Sequence, residues 1–328
     1  MSSEDFGLQN AKRILDKYRS SIPCFNDDIQ GTGCVTLAAV MAGLKVSRVS
    51  LKDVRVVCFG SGSAGTGIAD QISDAIATEA GVSKSEAMKQ IWCIDKQGLL
   101  LKSQKELTTS QEYFAKGDNE WSGDIDLLSV VKGVKPHVLI GTSTKPGAFD
   151  ENVIREMARH VDTPIILPLS NPTRLHEAKP QDITDWTEGR ALIATGSPFP
   201  PVTYNGTTRE IGTSLRLWAQ LMTAECNNST VFPGIGLGVV LSRSKCLSEK
   251  MIVAAAKALA DKAPVLEDVK KPLLPDVEEA RELSLNVAKA VIQTAVEEGL
   301  AQEEIPGELE DWIRAQMWEA TYRPLEPV

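Results

Sequence analysis

The chain has 328 residues and a mass of 35.5 kDa, is 42% hydrophobic and 24% charged, and carries a formal net charge of −9 with a pI near 5.1. An acidic chain with no Lys/Arg block excludes a phosphate-backbone binder, so no nucleic-acid partner is expected. No apolar run approaches the roughly 20 residues of a membrane span, so no membrane partner is expected either. Six scattered cysteines, Cys24, Cys34, Cys58, Cys93, Cys226 and Cys246, form no C-x-x-C pair. They read as reduced thiols rather than a disulfide framework or a zinc site.

In chain order, the opening "MSSEDFGLQN" has neither a secretion signal nor an Arg-rich transit peptide. As written it points to the cytoplasm, and a start further upstream would leave a mitochondrial address open. "CFNDDIQGTG", Cys24 to Gly33, then sets Asp27 and Asp28 between an aromatic residue and a glycine-bearing turn, ahead of a strongly apolar segment. Alone, that pair reads as readily as a solvated turn or a helix cap as it does a site. "RVVCFGSG" (Arg55–Gly62) is a buried-strand run ending in glycines, and "GIADQISDAIATEAG" spaces Ile68, Ile72 and Ile76 on one helical face. "IWCID", "HVLIGTS", "PIILPLSNP" and "ALIATGSP" supply four more strands, the last three ending in small polar loops. Past about Arg243 the pattern turns helical, clearest over Met251–Asp261 and Glu279–Glu297.

Strands without polar alternation, interleaved with helices, predict an α/β fold. The expected form is a doubly wound, Rossmann-type parallel sheet with a helical C-terminal region. Residues 1–27 are expected to be the remnant of a preceding domain, 28–228 a dinucleotide-binding domain and 229–328 mainly helical. Gly60-Ser61-Gly62-Ser63-Ala64-Gly65 fits G-x-G-x-x-G and, importantly, follows a strand and opens a helix. Gly60 would allow the tight turn, Gly62 the approach of a pyrophosphate, and Gly65 close helix–strand packing. Asp95 in "IWCIDKQG" is the expected ribose-binding acid, 30 residues past Gly65 where about 20 is usual. An acid there favours NAD over NADP; the adjacent Lys96 softens that preference and keeps NADP open.

With the cofactor fold in place, "EDFG", "FNDDIQGT", "LSNPT", "GSPF" and "NNS-x-VFPG" together resemble the cofactor-binding portion of malic enzymes, from about Glu4 to the chain's end. That family oxidatively decarboxylates malate to pyruvate and CO₂ with NAD(P) and a divalent cation. The resemblance implies a Mg²⁺ or Mn²⁺ site formed by Glu4, Asp5 and Asp28, with Asp27 in a supporting catalytic role. It implies Asn171 beside the nicotinamide and the substrate carboxylate, with Asn227 and Asn228 holding substrate. Hard oxygen ligands suit such cations. For each of these asparagines a turn or cap role is the competing reading. Malate and pyruvate are the expected small-molecule partners, and a homo-oligomer is the expected assembly of a full-length form. His137, His160 and His176 fall outside the motifs and are expected to be structural or solvated.

Two departures from the family stand out. The lysine base, tyrosine acid and carboxylate-gripping arginine lie in a family segment ahead of "EDF" that this chain does not match. General acid–base groups are worth about 10²–10⁴-fold, so a non-catalytic nucleotide-binding fragment is the alternative reading. Without that segment, "VFPGIGLGVVLS" (Val231–Ser242) is expected to leave apolar surface exposed. The second departure is "GTSLRLWAQLMT", Gly212–Thr223, which has no family counterpart and directly precedes Asn227.

Overall fold

The computed structural model describes residues 2–3, 6, 8–209, 226–319 and 321–322. Glu4, Asp5 and the 212–223 segment therefore lie outside the described residues. Near the start, α1 (Leu8–Tyr18) leads to the Phe25–Asn26 strand, which pairs in parallel with Ser2–Ser3. One π-helical turn, Asp27–Gly31, then runs directly into α2 (Thr32–Ser47). The central sheet follows, formed by β1 (Val56–Phe59), β2 (Ile91–Asp95), β3 (Gly98–Leu99), β4 (Val138–Gly141), β5 (Ile165–Pro168) and β6 (Leu192–Ile193). Its strand order is β3-β2-β1-β4-β5-β6, parallel throughout except for the short edge strand β3, which runs antiparallel to β2.

Crossover helices α3 (Ser63–Ala80), α4 (Leu127–Val134), α5 (Glu151–His160) and α6 (Pro180–Trp186) connect the strands. The chain steps from β1 to β2 on one side and later to β4 on the other. The strand order thus reverses at β1, as the doubly wound expectation requires. The same strands serve both faces because side chains alternate along a strand. Val56, Cys58, Val138, Ile140, Ile165 and Leu167 join one core; Val57, Leu139 and Ile166 join the other with α4, α5 and α6.

The first core also takes in α2, α3 and residues of three C-terminal helices. After α7 (Phe232–Leu241) come α8 (Glu249–Ala260), α9 (Ala280–Glu297) and α10 (Leu309–Gln316). Every residue of α2 from Gly33 to Leu44 is buried. The helix therefore needs apolar neighbours all round, and a helix of that kind belongs in a core. Gly43 brings it tightly onto the sheet: a Cβ there would sit 2.7 Å from the Ile165 side chain. From the other side α8 covers it, with Met251, Ala255 and Leu259 fully buried. Together with the π turn, α2 forms one helix, Asp27–Ser47, of 21 residues. By length and composition it could cross a membrane, which corrects the expectation that no apolar stretch reaches that length. Its apolar window is 78% buried inside the protein, and that burial accounts for its composition.

Helix α7 packs onto α9 at Gly234 and Gly238, where a Cβ would press into Val287 and Val291. Its opposite face is open, with Phe232 39% and Val240 69% exposed. This agrees with the expected apolar surface on that segment.

The histidines follow the structural expectation in part. Nδ1 of His137 accepts the Arg55 backbone N–H at 3.0 Å, and His160 pairs with Glu156 at 3.0 Å. Burial, and next the Arg55 cation, pull the His137 imidazole down to about 4 from its usual 6.5. Its folded-state value is depressed, so below pH 6.5 the unfolded chain takes a proton that the folded chain refuses. The stability it confers is complete above that pH and drains as pH falls toward about 4. We expect His137→Asn, whose amide oxygen can accept the same N–H, to flatten part of the fall in Tm between pH 7.5 and 5. Parallel Tm profiles for variant and wild type would refute this.

Candidate active site

Three glycines divide the work at the β1–α3 turn. Gly60 has φ +101°, and a Cβ on it would lie 2.5 Å from the Thr142 carbonyl carbon and the Ser143 Cα. A Cβ on Gly65 would strike the Gly60 carbonyl and come within 2.7 Å of Thr142 Oγ1. Both positions are thus closed by the protein's own backbone. A Cβ on Gly62 would meet nothing within 4 Å, so that residue faces open space. Gly62 also precedes the first turn of α3 without a side-chain cap, which leaves the helix's first N–H groups for an anion. The loop is pinned from both sides. Gly60 N–H and Ser61 Oγ–H donate to the Ile94 carbonyl at 2.8 and 3.0 Å, and Thr142 Oγ–H donates to the Gly60 carbonyl at 2.6 Å.

Asp95 ends β2 beside this turn. Its Oδ2 accepts from Gln111 Nε2 at 2.7 Å, and its Oδ1 accepts the Lys96 N–H at 2.9 Å. The Gln111 amide also donates to the Ser61 carbonyl at 3.0 Å, which joins the acid to the glycine turn. Gln111 is held by a reciprocal cap with Thr108, at 3.0 and 3.3 Å. This residue escaped the sequence reading, although Thr108-x-x-Gln111 is a capping-box pattern that marks it as a fixed side chain. A groove of about 930 Å³ opens along the strand ends, lined by Gly62, Asp95, Leu127, Thr142 and Ser143 among others. A second cavity, of about 460 Å³, lies across the start of α3, shares Gly62 and Asp95 with the groove, and is also lined by Gln111.

The acids of "FNDD" lie in the π turn, with Asp27 buried and Asp28 half-buried. Asn228 Nδ2 donates to Asp27 Oδ2 at 2.9 Å and to the Asp27 carbonyl at 3.1 Å, across 201 residues of sequence. Burial pushes the Asp27 carboxyl above the usual carboxylate range, the Asn228 bond pulls against that, and the Asp28 charge adds to the rise. Asp27 Oδ1 is buried and has no hydrogen-bond partner. A cleft of about 370 Å³ brings Asp27 together with Asn171, Asn227 and Asn228. Asn171 follows β5 and accepts a hydrogen bond from Ser197 Oγ in "GSPF". Asn227 Oδ1 caps the Asn228–Thr230 turn by accepting the Ser229 N–H at 2.9 Å, which is the competing reading made concrete.

Asp28 has its two expected companions, Glu4 and Asp5, outside the described residues. Among the described residues no group of three or more His, Cys, Asp or Glu side chains is arranged to hold a metal. The donors that are described suit a hard divalent cation in kind: two adjacent carboxylates, one with a buried, unpartnered oxygen.

Residues 29–296 match the family described as "Malic enzyme, NAD binding domain". The NAD-dependent malic enzyme 3 of Bacillus subtilis is 47% identical over 333 residues, covering 99% of this chain and 56% of its own length. The mitochondrial NAD-dependent malic enzyme of Saccharomyces cerevisiae is also 47% identical, over 343 residues, covering 98% and 49%. The solved malic enzyme from Pyrococcus horikoshii superposes with a TM-score of 0.73 at 24% identity, covering 96% of this chain and 65% of that one. At that identity the likeness speaks for the fold alone. The chain spans about half the length of the curated relatives it matches. By its glycine turn, its fold and these matches, the chain belongs to the malic enzyme family and carries that family's NAD-binding domain.

Proposed function

We propose that this chain is the NAD-binding and divalent-metal-binding portion of an enzyme that oxidatively decarboxylates malate to pyruvate and CO₂. The observation that carries the reading is the Asn228–Asp27 hydrogen bond. It unites "FNDD" and "NNS" in one cleft with Asn171, close to the strand ends that carry the glycine turn.

In this reading Asp95 accepts a hydrogen bond from the adenosine ribose, and the free N–H groups at the start of α3 hold the pyrophosphate. Asn171 orients the nicotinamide end and the substrate carboxylate, while Asn227 and Asn228 border the substrate. Asn228 has a second task, holding the Asp27 carboxylate in place. Asp28 would hold Mg²⁺ or Mn²⁺ together with Glu4 and Asp5. When bound, NAD supplies the hydride acceptor, and the cation supplies the charge that steadies the enolate left as CO₂ departs. The assembly is a homo-oligomer in this reading.

One observation favours a second reading for the chain by itself. The described lining of the cleft contains no lysine, tyrosine or arginine. The proton-transfer groups would then come from elsewhere, and the isolated chain would bind cofactor without turning over.

Malate- and Mn²⁺-dependent NADH formation, followed at 340 nm, separates the two. Turnover supports the enzymatic reading of the chain alone; NADH binding without turnover supports the second. Absence of both would refute the dinucleotide reading. We expect Asp95→Ala to weaken NADH binding about tenfold or more, the worth of a hydrogen bond to a charged acceptor, and NADPH binding less. Unchanged NADH affinity would remove Asp95 from the site. Asp28→Ala should abolish Mn²⁺ binding in a calorimetric titration while leaving NADH affinity within about twofold. Equal Mn²⁺ affinity in variant and wild type would refute the ligand assignment.

A further inference from the structure

Glu177 is fully buried, yet no expectation from the sequence included it. It lies between β5 and α6, after the "LSNPT" loop. Its Oε1 accepts three hydrogen bonds, from Ser143 N at 2.8 Å, Ser143 Oγ at 2.8 Å and Ser170 Oγ at 2.5 Å. Its Oε2 lies 3.4 Å from the Ser170 N–H. Ser170 Oγ in turn accepts the Thr144 N–H at 2.8 Å, so the loops after β4 and β5 are bonded to each other as well as to the carboxylate. The carboxyl occupies the space beside Gly141, where a Cβ would come within 2.5 Å of Glu177 Cδ. On the other side its backbone carbonyl accepts the Phe149 N–H at 3.0 Å, and the neighbouring His176 ring packs on Phe199 with centroids 4.7 Å apart.

A buried carboxylate is costly unless hydrogen-bonded donors surround it, and charge-assisted bonds are roughly twice as strong as neutral ones. All the donors here come from two loops, and each loop borders a part of the candidate site. Ser143 lines the groove along the strand ends, and Asn171, the residue after Ser170, lines the cleft with Asp27. Both loops lie on the β4 and β5 side of the glycine turn, whereas Asp95 lies on the β2 side. A dinucleotide seated over the strand-order reversal spans the two sides, with its adenosine ribose at the acid.

We propose that Glu177 is a positioning residue that clamps the β4 and β5 loops at a fixed separation and so aligns the nicotinamide half of the cofactor with Asn171. This rests on the dinucleotide reading above and adds to it a residue that touches neither cofactor nor substrate.

The test compares two probes on the purified chain, NADH and AMP, the latter engaging the Asp95 side only. For Glu177→Ala we expect NADH affinity to fall about tenfold or more and AMP affinity by less than about twofold. Glu177→Gln retains an acceptor oxygen for the three donors and should hold NADH affinity within about threefold of wild type. Ser170→Ala removes the bridge with little loss of volume. It should show the same selective loss in milder form, which keeps the test decisive should Glu177→Ala fail to fold. A NADH-to-AMP affinity ratio equal to wild type in folded Glu177→Ala, or in Ser170→Ala should the first not fold, overturns the clamp, whether neither probe weakens or both weaken equally. Wild-type chain that binds AMP and not NADH overturns it too, and wild-type chain that binds neither overturns the dinucleotide reading along with it.

Discussion

Helix α2 imposes the constraint on which the rest depends. Its buried stretch from Gly33 to Leu44 has no polar face to offer water, so it must be enclosed. The sheet covers one side, with Gly43 set against Ile165, and α3 and α8 cover others. Fully burying one Val or Leu side chain is worth about 1.5–3 kcal/mol, so leaving such a helix uncovered would be prohibitive. The C-terminal helices therefore fold back over the first half of the chain. That return brings Asn228 against Asp27, at the turn from which α2 starts.

The site thus inherits its position from the core. Asp27 and Asp28 sit in a π-helical turn, a geometry often found where a helix is bent to serve a functional group. The turn brings Asp27 to a cleft whose other walls come from the loops after β5 and β6 and from the segment before α7. Across the sheet, the glycine turn and Asp95 are held by bonds to Ile94, Thr142 and Gln111. A rigid scaffold presents the ligand-facing loops, and the loops are tied to one another through buried polar groups such as Glu177.

Such polar ties have a cost, because each carboxylate or amide removed from water must find donors inside the protein. Glu177 finds its donors in full view of two loops. Asp27 retains a buried oxygen without a hydrogen-bond partner, set against Gly31. The contrast separates a carboxylate whose donors join two loops from one that keeps an acceptor oxygen in reserve.

Much of this was readable before any coordinates. Strands of continuous apolar residues such as "VVCF" and "IILP" determined a sheet buried on both faces, because local backbone preference and solvent exclusion agree there. Gly60-x-Gly62-x-x-Gly65 determined a turn between strand and helix, because only glycine tolerates the contacts at Gly60 and Gly65. What a linear chain does not record is which distant residues meet. Asn228 and Asp27 are 201 positions apart, and nothing in their spacing tells that they touch. The role of Gln111 as a brace for Asp95, and of Glu177 between two loops, depends on side chains converging from separate elements. Periodicity carries the identity of an element because it is a local property. The joining of elements is set by how buried surfaces and polar donors are satisfied together, and only the tertiary structure decided that.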